Sequence, residues 1–496
     1  ARFRDDGSLL LTDRQDVTTP GTRGGRRLTL YARSGEALGQ WSSATAFYHA
    51  WLRSVVGDEH AAIICDSAFV GGLMHSFTSP HASLIQVIHS HHHDADNGTL
   101  GSLASGKLPI LKNADAYDLL AVLTERQKKD LLEEDIASDN IVAIPNPFHG
   151  RVSTAAGPRT RERGIVVSRL SGIKRIDHAI RAISSSTAST SPTLDIYGDG
   201  QERERLEECI AGLDLGDRVR LHGHDSRART RFAQFSFSLL TSRTEGQSLM
   251  LVESMAGGCI PIAYDIDYGP SDIITDGVDG LLVPAEDPEA LTQAIDRFLA
   301  MDEARVADMR DAAIDASKRF SADGIAAQWA QAIQRVVGLE SGDRSADDHD
   351  GADRSAARGS VSARLVDVGL VGDRVAFSAQ LDGADRGAMA WAKLALIGRR
   401  GRGYKRLPLQ VSGEDHRPVL TAELPIEQLV VEDAGALDLF VDARISGLPV
   451  RVRLAAGTCV DPVPLGDLEH YATVRGNASI RRAADTTSPA RDTSTA

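Results

Sequence analysis

Cysteine is scarce in this chain. Four occur in 496 residues, at Cys65, Cys209, Cys259 and Cys459, with no C-x-x-C pair among them. That spacing argues against a disulfide framework or a zinc knuckle and fits a reducing cytosol, so a cytoplasmic protein is expected. Long apolar runs are missing too: no stretch approaches the ~18 residues of a membrane span, and no signal-peptide pattern is visible. Positive charge is the minority. Lys and Arg total 55 against 69 Asp and Glu, a formal net charge of -14, which speaks against a general nucleic-acid binder.

What is present is ordinary globular composition, 42% apolar and 25% charged. The length suits roughly three domains of ~150 residues each. Residues 1–35 read as short strands and turns, a β-hairpin extension. From residue 40 the pattern turns α/β: a helix from Ala44 to Val55, buried strands at 61–66, 83–89 and 119–123, then Thr124-Glu125-Arg126-Gln127 opening a charged helix. Ile141-Val142-Ala143-Ile144-Pro145-Asn146-Pro147 ends this block and reads as an interdomain turn. A second α/β block follows, with strands at 164–168, 193–197, 219–223 and 237–240 and a pair of amphipathic helices from Val306 to Val337. Strands alternating with helices imply parallel sheets.

Residues 339–360 are acidic, Ser/Gly/Ala-rich and nearly free of large apolar residues, the composition of a linker. Residues 361–476 alternate with period two, as in Val375-Ala376-Phe377-Ser378-Ala379-Gln380-Leu381, and predict an all-β sandwich-like domain. The tail 477–496 is polar and expected to be disordered.

Ligands of open α/β sheets bind at the carboxyl ends of the strands. Three such ends in the second block carry suitable chemistry. Arg169 and Lys174 lie on a loop leading into a helix; arginine forks onto phosphate oxygens while lysine acts as a point charge. Gly198-Asp199-Gly200 is a tight turn that lets a ligand approach the backbone. Glu245 and Glu253, eight positions apart in Thr244-Glu245-Gly246-Gln247-Ser248-Leu249-Met250-Leu251-Val252-Glu253, are expected on one helical face, the first at the helix mouth where N–H groups favour an anion. Each signal alone is commonplace. Their fall at corresponding strand ends of one block is not.

Arg169-x4-Lys174, Gly198-Asp199-Gly200 and Glu245-x7-Glu253, in that order, resemble the donor domain of the retaining glycosyltransferases of family 4. Asp265-Ile266-Asp267-Tyr268-Gly269-Pro270-Ser271-Asp272 and Gly277-Val278-Asp279-Gly280 extend the likeness. The Tyr-Gly-Pro-Ser-Asp version, with Glu-Gly-Gln before it, is similar to the poly(glycerol-phosphate) α-glucosyltransferase branch, which glycosylates wall teichoic acid. The resemblance is strong over 160–300, moderate over 1–150 and fails beyond 340.

It implies a GT-B fold: two Rossmann-like domains, an acceptor-side one over 1–147 and a donor-binding one over 148–338. Arg169 and Lys174 would bind the donor's diphosphate, Glu245 the transferred sugar and Glu253 the ribose hydroxyls. Backbone N–H groups of Gln247, Ser248 and Leu249 would lie near sugar and phosphate, Gly198 beside the ligand and His224 near the nucleobase. No metal and no cofactor are implied beyond a UDP-sugar donor, because cations and a helix dipole supply the electrostatics. In His89-Ser90-His91-His92-His93-Asp94-x-Asp96 the ligands stand too close for a metal site and lack helical spacing. His91 to His93 are read as a solvated loop, and His89, ending an apolar strand, takes the place of the family's sugar-contacting histidine, with His91 as fallback. One departure is plain: no strand with a Gly-rich loop precedes residue 40. The acceptor-side domain is therefore expected to be incomplete, and the chain, which opens at Ala1, to be a fragment.

The function implied is transfer of a hexose or N-acetylhexosamine to a hydroxyl of a polyol-phosphate polymer. A lipid-linked acceptor would bring the enzyme to a membrane periphery, and self-association stays open. The alternatives are a protein, lipid or small-molecule acceptor, or a non-catalytic assembly partner of the same fold.

Overall fold

A computed structural model describes residues 1–17, 25–79, 81–93, 103–137, 140–150, 159–338, 361–398, 404–429, 436–445, 448–457, 459, 461–473 and 475–483. The expected linker, 339–360, lies outside them, as do Asp94 and Asp96. The described chain forms two compact units. One gathers Ala1–Gln86, Gly106–Asp118 and Val336–Ala496; the other gathers Val87–Ser105 and Leu119–Arg335.

The first unit opens with a four-stranded antiparallel sheet in sequential order, Arg2–Phe3, Leu9–Val17, Gly25–Tyr31 and Ala37–Trp41. Ser43 then caps helix Ala44–Val56 by accepting from the Ala46 N–H. Strand Ala61–Cys65 pairs in parallel with the chain from Ala82 to Gln86.

The C-terminal part of this unit is all β, with strands from Ser362–Val371 to Ala478–Arg482. Its pairings are antiparallel except where Ser362–Val371 meets Leu448–Ala455. Period-two burial fills the core: Val375, Phe377, Ala379 and Leu381 face in. One expectation is corrected here. Ala478–Arg482 is not disordered tail but a strand, paired with Leu468–Ala472 through partners such as Ile480 and His470. Ala478 and Ile480 are fully buried, so two apolar residues in a polar stretch suffice to hold the strand in place.

The second unit centres on a six-stranded parallel sheet: β1 (Arg163–Val167), β2 (Thr193–Tyr197), β3 (Val219–Gly223), β4 (Phe237–Leu240), β5 (Ile260–Asp265) and β6 (Leu281–Pro284). The spatial order is β3-β2-β1-β4-β5-β6. Central strands read as apolar runs because helices cover both faces of a parallel sheet. β4 and β5 are buried along almost their whole length. Helix α1 (Ile176–Ser185) buries Ile176, Ala179, Ile180 and Ile183, the three- and four-residue spacing of a single face. The order reverses between β1 and β4. A crevice forms at such a switch point, outside the carboxyl ends of the strands.

Candidate donor-binding site

The loops that leave β1, β2 and β4 are bonded into one rim. After β1, Ser168 N–H donates to Tyr197 O at 3.0 Å and Leu170 N–H to Asp199 O at 3.0 Å. Gly198 N–H donates to Gly223 O at 2.8 Å, which joins the end of β3. Gly198 has φ +146°, and a Cβ there would lie 1.7 Å from Ser168 O. Only glycine fits a turn pressed that closely on its neighbour's backbone. His224 follows Gly223 and is exposed.

Arg169 stands exposed at this rim, and among the described residues no hydrogen bond or ion pair engages its guanidinium. Lys174 is held differently. Its Nζ lies 2.6 Å from Glu245 Oε1, while its carbonyl accepts from Thr241 Oγ1 at 2.9 Å. Ser242 Oγ also donates to Glu245 Oε1, at 2.7 Å. Lys174 leaves β1 and Glu245 leaves β4, so the pair straddles the switch point.

The local helix differs from expectation. Helix α2 (Leu249–Ala256) begins four residues after Glu245, with Ser248 at its N-cap and no side-chain cap. Glu245 therefore lies in the preceding loop and shares no helical face with Glu253. Other backbone crowds this loop: a Cβ on Gly246 would lie 2.1 Å from His89 O, and one on Gly269 3.3 Å from Ser248 N. The N–H groups at the α2 mouth stay uncapped by any side chain, which suits an anionic ligand. Gln247 and Ser248 are buried, and Gln247 Oε1 accepts from Asn146 N–H at 2.5 Å.

Glu253 is 8% exposed, with Arg229 Nη1 3.2 Å from its Oε1. Burial pushes its carboxyl up to about 6 against the pull of Arg229. Nothing in the sequence marked Arg229, which lies on the 3₁₀ helix Ala228–Gln234 among further arginines.

His89 is exposed at the end of strand Ala82–Ile88, and its carbonyl is the group that forbids a side chain at position 246. The backbone of the histidine segment thus rests on the Glu245 loop. The solvated-loop reading of His91 to His93 is overturned. His92 is fully buried, and the His91 ring stacks on Tyr268 with centroids 4.9 Å apart. Tyr268 is itself buried; its hydroxyl donates to Asp130 Oδ2 at 2.8 Å and lies 3.3 Å from His92 Nδ1. Its N–H reaches Glu245 O at 3.3 Å. Tyr268 therefore ties the histidine segment, helix Glu125–Glu133 and the Glu245 loop together. It stood in the quoted Tyr-Gly-Pro motif without a role, since one tyrosine carries no pattern of burial.

His92, His93 and Glu134 bring three donor atoms within 4.8 Å of one another, a set by type able to hold a metal ion. Here His93 Nε2 bonds Glu134 Oε1 at 2.8 Å. Burial raises the Glu134 carboxyl, but bonds from His92 and His93 outweigh it and bring it down to about 2.

The family of glycosyl transferases group 1 matches residues 157–319. An exopolysaccharide phosphotransferase of Streptomyces coelicolor is 38% identical over 236 residues, 46% of this chain and 24% of that protein. A poly(glycerol-phosphate) alpha-glucosyltransferase of Bacillus subtilis is 25% identical over 262 residues, 52% of this chain and 38% of that protein. The chain thus spans well under half the length of both. Among solved structures, a Staphylococcus aureus TarM variant in complex with fondaparinux, alpha-GlcNAc-glycerol and UDP superposes with TM-score 0.54 at 23% identity, over 66% of this chain and 68% of that one. The fold is accordingly of GT-B type, α/β with a sheet-rich C-terminal domain, and residues 157–319 within it are similar to the glycosyl transferases of group 1.

Proposed function

We propose that this chain transfers a hexose or N-acetylhexosamine from a UDP-sugar to a hydroxyl of a polyol-phosphate polymer, with retention and without a bound metal. The observation that carries the reading is the Lys174–Glu245 pair across the switch point, together with an Arg169 that has no partner among the described residues. The Bacillus relative's name and the UDP and alpha-GlcNAc-glycerol held by TarM support the donor and acceptor classes.

In this mechanism the donor's diphosphate draws Lys174 from Glu245 and engages Arg169. Two cations and the α2 mouth then offset the charge that grows as the anomeric C–O bond breaks. Glu245, released, accepts from sugar hydroxyls. The acceptor oxygen bonds the anomeric carbon on the face that UDP leaves, and its proton passes to the departing phosphate. Glu253 takes the ribose hydroxyls, Gly198 and the N–H groups of Gln247, Ser248 and Leu249 line the diphosphate and sugar, and His224 flanks the base. His89 faces the sugar. A cytoplasmic setting goes with this reading. No helix among the described residues is long and apolar enough to cross a membrane, and a lipid-linked acceptor would recruit the enzyme peripherally.

The test is transfer from UDP-glucose and UDP-N-acetylglucosamine to polyglycerol phosphate, with and without EDTA. Product with the α anomeric configuration, formed equally in EDTA, is expected. Strict EDTA sensitivity would remove the metal-free claim, and donor hydrolysis without polymer transfer would remove the acceptor.

A further inference from the structure

A cavity of about 190 Å³ lies in the first unit, between the all-β domain and the short turn Ala114–Ala116. It exceeds the ~150 Å³ that holds one benzene ring. Its wall is polar. Arg406 Nε donates to Asp442 Oδ2 at 2.9 Å, and its Nη2 pairs with Asp115 Oδ2. Arg451 forks onto the same Asp442, Nε to Oδ1 at 2.5 Å and Nη2 to Oδ2 at 2.6 Å, and its Nη1 reaches Asn113 Oδ1 at 3.0 Å. Two guanidinium groups thus meet two carboxylates, so the wall carries no net charge.

Two groups in that wall are left over. Asp115 is 6% exposed and its Oδ1 has no hydrogen-bond partner; the indole N–H of Trp391 is likewise buried and unpartnered. A buried polar atom of either kind is costly to leave unmet. One lacks a donor and the other an acceptor, and their residues, Asp115 and Trp391, both line the cavity.

The geometry points to this cavity as a binding site for a neutral sugar ring, a monosaccharide unit of a glycan. A hydroxyl both donates and accepts, so adjacent hydroxyls satisfy Asp115 Oδ1 and the Trp391 N–H together. A phosphate suits this wall less: its negative charge would lie beside the Asp115 carboxylate, and both arginines are already neutralised. The cavity's size suits one six-membered ring. Its lining belongs to the first unit and the donor residues to the second, and it does not rest on the transferase reading.

The experiment uses the full chain without UDP-sugar. The ¹⁵N-indole signal of Trp391, identified by its loss in Trp391→Phe, is followed during titration with methyl α-glucopyranoside, glycerol or inorganic phosphate. A saturable shift with the glucoside, a weaker one with glycerol and none with phosphate are expected. Asp115→Asn should weaken glucoside binding at least tenfold. Because that change also touches Arg406, ligand-detected NMR on Trp391→Phe, which keeps an aromatic ring, supplies a second reading: severalfold weaker binding. An indole signal unmoved by the glucoside, an equal response to phosphate, or full affinity in both variants would overturn the site. A failure here leaves transfer activity intact, and an inactive transferase leaves this titration unaffected.

Discussion

Lys174 Nζ and Glu245 Oε1 lie 2.6 Å apart, and both side chains are mostly buried, at 18% and 14% exposure. They come from strands on either side of the sheet's topological reversal. An ion pair there is a poor stability device, because desolvation consumes much of its Coulombic gain. It is a good way to hold a cation ready for an incoming diphosphate. Glu245→Gln keeps the shape and removes the charge. Transfer should fall about a hundredfold, a loss typical of removing one transition-state contact, with the melting temperature nearly unchanged. Lys174→Ala should do the same, and the double variant should cost far less than the product, since the two act as one unit. Multiplicative losses in kcat/KM would refute the coupling.

Glu253 adds a pH dependence with a definite sign. Its folded carboxyl is raised to about 6 from an ordinary 4.5. The folded state therefore favours the protonated form, and ionisation costs stability as pH rises through 4.5 to 6, by roughly 2 kcal/mol at ~1.4 per pH unit. Ribose hydroxyls need the carboxylate. UDP affinity should climb as pH rises through about 6 and then level off. Glu253→Gln should flatten that profile, weaken UDP severalfold and stabilise the fold above pH 6. Calorimetric titration with UDP at pH 5 and 7.5, beside melting curves, reads both.

Two glycines should fail differently. An added Cβ at Gly198 meets Ser168 O at 1.7 Å and sits at φ +146°; one at Gly246 meets His89 O at 2.1 Å. Gly198→Ala disrupts the rim that carries Arg169, so UDP binding should drop more than tenfold. Gly246→Ala pushes the His89 segment off the Glu245 loop. There kcat should fall while UDP affinity changes less than threefold. Equal loss of UDP binding in both would contradict the separate roles.

Much of the second unit was legible in the sequence because parallel strands are continuous apolar runs and their polar ends are few. Gly164-Ile165-Val166-Val167 in β1 and Ile260–Asp265 announce themselves, and with β1 the place where Arg169 stands. The start of α2 was not legible. Eight-residue spacing suggested one helical face, but Glu245 lies in a loop that is crowded at Gly246 by the backbone of His89, far off in sequence. The burial of His92 was hidden for the same reason: a polar run reads as solvated unless its partners, Tyr268 and Glu134, are known. The strand Ala478–Arg482 escaped notice because its buried apolar residues, Ala478 and Ile480, are diluted by Ser479 and two arginines.

Tyr268 gives the last prediction. Its hydroxyl bonds Asp130 in a buried setting, and burial, reinforced by Asp130, raises its pKa well beyond any working pH, so it stays a donor throughout. Tyr268→Phe keeps the ring that stacks on His91 and removes only the oxygen. Asp130 and His92 Nδ1 then lose a partner, at a cost of about 1–3 kcal/mol, measurable by urea denaturation. The N–H that supports Glu245 O is untouched, so UDP affinity should hold. The histidine segment loses its tie, however, and kcat should fall several-fold with KM for the donor nearly constant. Tyr268→Leu, which also abolishes the stack on His91, should lower kcat further. If both variants match the wild type in kcat while losing stability, Tyr268 supports the fold alone, and the positioning of His89 must come from Gly246.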